Sequence, residues 1–247
     1  MEILLNGDIY DQRLGGSIAD VNFYVRKATE IGGPVLELFC GTGRITIPIA
    51  KSGLDVTGVD LAESMLERAR RKAAAEGVSV QWIHGDATSL DLGRKFRLIL
   101  APFNSLQLLH HEGQINSFLR TARAHLQEDG VLIFDVLNPN LDELAPKLAN
   151  RVSGGEYRDP HTDELVTVEW GSDYDDSNQL NHATCYLSTS SRPNFATDHL
   201  TMRCYYPEEL NLILRAAGFS VAEKLGEFDG RPFSRGCASQ IVSARPA

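Results

Sequence analysis

From Pro34 to Leu137 the chain alternates short apolar runs with stretches whose apolar residues recur every three or four positions. Val35-Leu36-Glu37-Leu38 predicts a strand, and Gly41-Thr42-Gly43 then turns the chain into a helix with Ile45 and Ile49 one turn apart. Pro48 stands near that helix's start, where a missing N–H costs least. Residues 55–60 predict a second strand. The helix after it carries Met65, Leu66, Ala69 and Ala73 on one face and is closed by Gly77. A third strand is predicted over 80–83, ending at Gly85-Asp86-Ala87, and a fourth over 96–100, giving way to Pro102-Phe103-Asn104-Ser105. A helix over 114–126 turns Phe118, Leu119 and Ala122 inward, and Gly130 opens a fifth strand over 131–136. Strands separated by helices imply right-handed crossovers and a parallel sheet, and near-continuous apolar character fits burial on both faces.

After Asn140 the pattern changes. Residues 164–170, 181–188 and 197–203 predict strands with no helix between them, and turn-rich segments at 173–178 and 190–194 separate them. That describes an antiparallel insertion of about fifty residues. A helix resumes at Pro207, a plausible first-turn proline, and runs to Ala217. Strands over 220–225 and 239–245 finish the chain. The fold class expected is α/β, Rossmann-like, with an antiparallel β insertion.

Composition changes this picture little, but charge narrows the partners. The 247 residues are 43% hydrophobic and 23% charged, which suits a single large domain or a core with an insertion. Lys plus Arg total 24 against 33 Asp plus Glu, for a net charge of −9. Nucleic acid is therefore not expected as a partner. The densest basic cluster, Arg68, Arg70, Arg71 and Lys72, is read as a solvated helix face. No apolar run approaches the roughly 18 residues of a membrane span, and Met1 to Asp8 has no basic leader character, so a soluble cytoplasmic protein is expected. Cys40, Cys185, Cys204 and Cys237 form no Cys-x-x-Cys pair; reduced thiols and no metal centre follow.

In an open parallel sheet the ligand sits beyond the carboxyl ends of the strands. The first strand ends in Glu37-Leu-Phe-Cys-Gly41-Thr-Gly43-Arg44, where glycines allow close backbone approach and a helix start offers free N–H groups. The second ends in Asp60, placed to accept both hydroxyls of a ribose. Alone this is a nucleoside signal shared with dinucleotide enzymes. Thr46, however, stands where a dinucleotide fingerprint wants a third small residue, and Glu37 would repel a pyrophosphate. Asp86, at the third strand end, is placed to bond an adenine amino group. Acids at three strand ends point toward S-adenosylmethionine.

Here the chain resembles the class I S-adenosylmethionine-dependent methyltransferases, over essentially its whole length. The carriers are Val35-Leu-Glu-Leu-Phe-Cys-Gly-Thr-Gly-Arg44, Val56-Thr-Gly-Val-Asp60, Ser64-Met-Leu66, Gly85-Asp86-Ala87 and Gly130-Val-Leu-Ile-Phe-Asp135, in that order and spacing. Pro102-Phe-Asn-Ser-Leu-Gln107 and the segment from Ala217-Gly-Phe219 to Gly226-Glu-Phe-Asp-Gly230 are similar to the bacterial small-molecule type, in which an antiparallel insertion after the fifth strand covers the substrate. The resemblance implies a seven-stranded core sheet. It also implies an N-terminal segment, 1–33, that closes over the cofactor, and a cofactor-binding core at 34–150. The lid, or dimer contact, would be 151–206, and 207–247 would complete the sheet. It places Gly41, Gly43, Glu37 and Arg44 at the methionine half and Asp60 at the ribose. Leu61 and Met65 would flank the adenine, and Asp86 with Ala87 would hold its edge. Phe103 and Asn104 would sit beside the transferable methyl, with Tyr10 and Tyr24 closing over the tail. The family usually has glycine where this chain has Phe39.

The reaction implied is in-line transfer of the methyl to nitrogen or oxygen of a small molecule, leaving S-adenosylhomocysteine. His110 and His111, after the fourth strand, are the candidate bases, and Asn104, His182, Arg203 and Tyr205 the candidate substrate contacts. No pattern marks an unmistakable base, which leans toward nitrogen. A monomer or homodimer is expected. A nicotinamide-dependent oxidoreductase, sharing Gly41, Gly43 and Asp60, and a non-catalytic nucleoside-binding protein are the alternatives.

Overall fold

The computed structural model describes residues 7–14, 18–140, 144, 151–159 and 161–247. Residues 1–6, on which the leader reading partly rests, and residues 145–150, at the boundary between core and insertion, lie outside that set.

Among the described residues eleven strands form two sheets. The larger runs β10-β11-β5-β4-β1-β2-β3. It is built from β1 (Val35–Leu38), β2 (Val56–Asp60), β3 (Gln81–His84), β4 (Phe96–Ala101), β5 (Leu126–Leu137), β10 (Phe219–Leu225) and β11 (Ser239–Pro246). β1 to β5 are mutually parallel, and β11 runs antiparallel to both β5 and β10. The strand order reverses between β1 and β4, so their carboxyl ends open a crevice. On the faces lie α2 (Ala19–Ile31), α3 (Thr46–Lys51), α4 (Glu63–Ala75), α5 (Glu112–His125) and α6 (Pro207–Ala216). The predicted inward residues are buried: Met65, Leu66, Ala69 and Ala73 on α4, and Phe118, Leu119 and Ala122 on α5. Burial of each large apolar side chain contributes roughly 1.5–3 kcal/mol.

Two strands depart from expectation. β5 begins at Leu126, not 131, because Leu126 already pairs with Phe96 of β4; the polar Gln127 to Asp129 fall in the irregularity before pairing resumes at Val131. A Cβ on Gly130 would stand 3.0 Å from the Gln127 carbonyl oxygen, so only glycine lets that bend close. The second sheet has four strands, β6 (Val152–Arg158), β7 (Leu165–Asp175), β8 (Leu180–Ser188) and β9 (Ala196–Arg203), in that order and all antiparallel. β6 was hidden because Gly154-Gly155 reads as a turn and Tyr157 is its one buried side chain. Gly154 is needed there: the Trp170 ring lies 2.6 Å from where its Cβ would be. β7 also runs through Asp175, so the turn expected over 173–178 begins later.

One face of this sheet buries Tyr157, Val166, Val168, Cys185 and Leu187, with Ile9 packed against them. Ile9 belongs to α1 (Gly7–Leu14), which is pinned at its other side by Asp11. That carboxylate accepts from Thr42 Oγ1 at 2.6 Å, Lys72 Nζ at 2.7 Å and Arg68 Nε at 2.9 Å, and these bonds hold it below the ordinary carboxylate range despite partial burial. The basic cluster is thus not simply a solvated face. Arg68 and Lys72 clamp α1 to α4, while Arg70 pairs with Glu63.

Tyr205 is fully buried in the main core, and its hydroxyl donates to the Leu109 carbonyl at 2.9 Å. It is therefore removed from the substrate-lining set, because its ring packs between the last helix and the sheet. Tyr205→Phe is expected to cost about 1–2 kcal/mol by urea denaturation, with ligand binding at the strand ends unchanged.

Candidate active site

The site is assembled where β1, β2, β4 and β5 end. Glu37, on β1, is buried and accepts from Thr46 Oγ1 at 2.5 Å. Burial pushes its carboxyl up to about 8; the Thr46 bond and the Arg44 charge oppose that rise, and Asp60 adds to it. Phe39 then takes φ 59°, a left-handed conformation that explains why glycine is usual there. Its ring packs against Phe118 with centroids 5.8 Å apart, which offsets the strain. The β1 loop therefore keeps the glycine-like backbone without the glycine.

The two loop glycines serve different ends. Gly41 has φ 54°, and a Cβ built on it meets nothing within 4 Å, leaving an open cradle above the loop. Gly43 is buried, and its Cβ would lie 2.7 Å from the Trp82 ring. It is small so that Trp82 can pack, not so that a ligand can approach. Asp60, at the end of β2, accepts the Gly41 N–H at 2.7 Å and the Ala62 N–H at 2.9 Å, tying the two loops together. Burial raises its pKa, against the pull of those backbone bonds. Leu61 beside it is 67% exposed, whereas Met65 is buried. Asp86 is exposed and caps its own turn, accepting from the Thr88 N–H and hydroxyl; Ala87 is buried.

Arg44 forms a two-point ion pair with buried Asp20 of α2 and stands over the Phe103 ring, 5.0 Å from its centroid. Tyr10, from α1, meets Phe103 edge-on with centroids 6.4 Å apart. Burial pushes its phenol up to about 12, with Arg44, Glu37 and Asp60 all near enough to act on it. Tyr10, Phe103, Arg44, Glu37 and Asp60 therefore lie close together at the strand ends. Phe103 and Asn104 both have positive φ, and both backbone N–H groups donate to Asp135 at the end of β5. Tyr24, wholly buried, donates its hydroxyl to the same carboxylate and so braces the site from beneath instead of closing over it. Asn104 Oδ1 is buried with no hydrogen-bond partner. Asp20 and Asp11 were not singled out from sequence; Thr46 was noted only as a departure from the dinucleotide fingerprint, and Asp135 only within the run from Gly130. For Asp135 the signal was a carboxylate inside an otherwise apolar run.

The expected base and substrate residues separate from this group. His110 Nε2 lies 2.7 Å from the Thr201 carbonyl oxygen, so that nitrogen carries a proton and cannot accept one. His111 is exposed at the start of α5. Both line a cleft of about 380 Å³ under the β7–β8 hairpin, with Gln179 and Arg203, and none of the strand-end residues lines it. Arg203 is committed to Glu209, Gln179 and the His110 carbonyl, which corrects its assignment as a substrate contact. His182 alternates with inward Ala183 and Cys185 and pairs with Thr201 on the opposite, exposed face, so it points away from the core. Among the described residues no group of three or more His, Cys, Asp or Glu is placed to hold a metal ion, and no helix is long and apolar enough to cross a membrane.

Residues 35–130 match the family model described as a methyltransferase domain. The solved CcbJ methyltransferase from Streptomyces caelestis is similar at 28% identity, covering 94% of this chain and 98% of that one, with a TM-score of 0.79. A ubiquinone biosynthesis O-methyltransferase of Azorhizobium caulinodans is 32% identical over 50% of this chain and 46% of its own length. The dTDP-3-amino-3,6-dideoxy-alpha-D-glucopyranose N,N-dimethyltransferase of Streptomyces fradiae is 30% identical over 47% and 44%. The chain thus spans under half the length of these curated relatives.

The open cradle at Gly41 is what a nucleoside ligand would fill. Gly41→Ala is expected to weaken S-adenosylhomocysteine binding at least about tenfold with a small loss of stability, and Gly43→Ala to unfold the protein earlier by about 2–4 kcal/mol. Calorimetry and urea melts of the two variants check this contrast. With its carboxyl raised to about 8, Glu37 holds a proton at neutral pH in the free protein. A ligand ammonium beside it favours the ionised form, so binding expels that proton and affinity climbs as pH rises toward 8. Titrations in buffers of different ionisation enthalpy between about pH 6 and 7 should show release approaching one proton, absent in Glu37→Gln. The domain match over residues 35–130, the structural likeness over 94% of the chain and the acid-bearing strand ends agree: the chain is similar to S-adenosylmethionine-dependent methyltransferases and has their fold.

Proposed function

We propose that the protein methylates the amino nitrogen of a small molecule of the amino-sugar kind. The observation that carries this reading is the chemistry of the mouth formed by Tyr10, Phe103 and Asn104. It holds an unpartnered hydrogen-bond acceptor, and none of the described residues around it is a free base. Tyr10 stays protonated, and the proton-bearing His110 nitrogen is spent on a carbonyl. A hydroxyl must lose its only proton to attack, whereas a neutral amine attacks with its own lone pair and keeps an N–H for an acceptor.

S-adenosylmethionine, when bound, supplies a methyl group on a sulfonium, a strong electrophile. In this reading Asp60 takes the ribose hydroxyls, Leu61 and Met65 flank the adenine, and Asp86 with Ala87 meets its edge. Gly41 lies under the methionine half, Glu37 takes its ammonium, and Arg44 keeps Asp20 neutralised beside it. Tyr10 and Phe103 wall the mouth and exclude water, which leaves orientation as the protein's main contribution. The inner face of the insertion sheet, with Trp170, Ser172 and Leu200, would cover the acceptor. The net charge of −9 supports a small acceptor over a nucleic acid. The N-methylating sugar relative supports nitrogen, although the matched region covers less than half of it.

Single-turnover methylation of a panel of amino-sugar nucleotides, simple amines and phenols tests the proposal. Amines should react at least about tenfold faster than hydroxyl counterparts, with rates rising with pH until the amine is neutral. Methylation of phenols with amines untouched would move the assignment to oxygen.

A further inference from the structure

The mechanism above makes no use of one buried carboxylate, that of Asp135. It is 3% exposed and accepts three hydrogen bonds: from the Tyr24 hydroxyl at 2.5 Å, the Phe103 N–H at 2.8 Å and the Asn104 N–H at 3.0 Å. Two consecutive non-glycine residues in left-handed conformation, at φ 59° and 57°, are unusual, and each costs of order 1–2 kcal/mol. They persist because one carboxylate faces both N–H groups at once. A charged acceptor makes these bonds stronger than neutral ones and gives the loop one favoured geometry.

What that geometry sets is the wall of the mouth. Phe103 swings outward, 38% exposed, against Tyr10 and under Arg44, while Asn104 turns inward with its Oδ1 unpaired. Leaving a buried acceptor unpaired costs about 1–3 kcal/mol, which an arriving N–H would recover. We propose that Asp135 is the positioning residue of the transfer site, locking Phe103–Asn104 so that Asn104 Oδ1 accepts an N–H of the acceptor amine and turns its lone pair toward the methyl group. As the N–C bond forms and the C–S bond breaks, positive charge passes from sulfur to nitrogen. The N–H facing Asn104 becomes a stronger donor at that moment, and the surplus proton of the product ammonium leaves to water afterwards. The part played by Asn104 rests on the nitrogen reading above; the clamp by Asp135 does not.

The test compares Asp135→Asn, Asn104→Ala, Asn104→Asp and Tyr24→Phe. Amide hydrogen exchange at Phe103 and Asn104 is read in the S-adenosylhomocysteine complex, which needs no acceptor. Asp135→Asn should speed that exchange at least about tenfold and slow single-turnover methylation of the best amine by about 10–100-fold, with S-adenosylhomocysteine affinity within about threefold of wild type. Asn104→Asp, which keeps an acceptor oxygen, should retain more of the rate than Asn104→Ala. Tyr24→Phe, which leaves both N–H bonds in place, should keep amide exchange at Phe103 and Asn104 within about threefold of wild type. Should Asp135→Asn fold poorly, Asp135→Asn with Asn104→Gly supplies a folded variant, because glycine holds φ near 57° without strain. It should regain stability and not rate. Unchanged exchange in Asp135→Asn overturns the clamp. A loss of cofactor affinity as large as the loss of rate overturns the positioning role. If no amine reacts while exchange responds as expected, the nitrogen reading and the Asn104 bond fall and the clamp stands.

Discussion

Carboxylates buried at the carboxyl ends of strands are the constraint from which the site follows. A buried carboxylate without partners is prohibitively costly, so each one recruits the chain that passes in front of it. Asp60 draws in the Gly41 and Ala62 N–H groups and joins the β1 and β2 loops. Asp135 draws in Phe103 and Asn104 and fixes the β4 loop. Among the described residues Glu37 accepts a hydrogen bond only from the Thr46 hydroxyl, too little to offset its burial, so its carboxyl is pushed up and a cationic group arriving there is favoured. Two of the three acids, Asp60 and Asp135, are structural knots that tie loops together.

The placement of α1 depends on the same economy of charge. α1 is short and only weakly apolar, and it would not stay in place for its own sake. Asp11 anchors it to the very helix and loop that frame the nucleoside space, through Thr42, Arg68 and Lys72. Ile9 meets the insertion sheet on the other side, and Tyr10 between them meets the Phe103 ring. The β1 loop, α1 and the insertion sheet are thereby coupled through one turn of helix.

The core sheet was legible from the sequence because buried parallel strands read as continuous apolar runs and their helices as four-residue repeats. Glu37 and Asp60 were legible for a related reason, as charges that end apolar runs, whereas Asp135 lies inside its run and was read only as part of it. Phe39 was legible as a departure but not as harmless, since the compensating ring of Phe118 lies far along the chain. β6 was not legible, because its glycines exist to fit Trp170 and look like a turn. His182 was a misreading the sequence could have prevented: it is out of phase with Ala183, Cys185 and Leu187, the residues that face inward. Tyr205 and Arg203 could not have been sorted, since their burial and ion pairing depend on where α5 and α6 dock.

The most direct test of the account is calorimetric titration of wild type and Asp60→Ala with S-adenosylhomocysteine, with NADH as the competing ligand. The account predicts micromolar binding by wild type, no competition from NADH, and a loss of at least about tenfold in the variant. Equal affinity in both proteins, or binding of NADH alone, would contradict it.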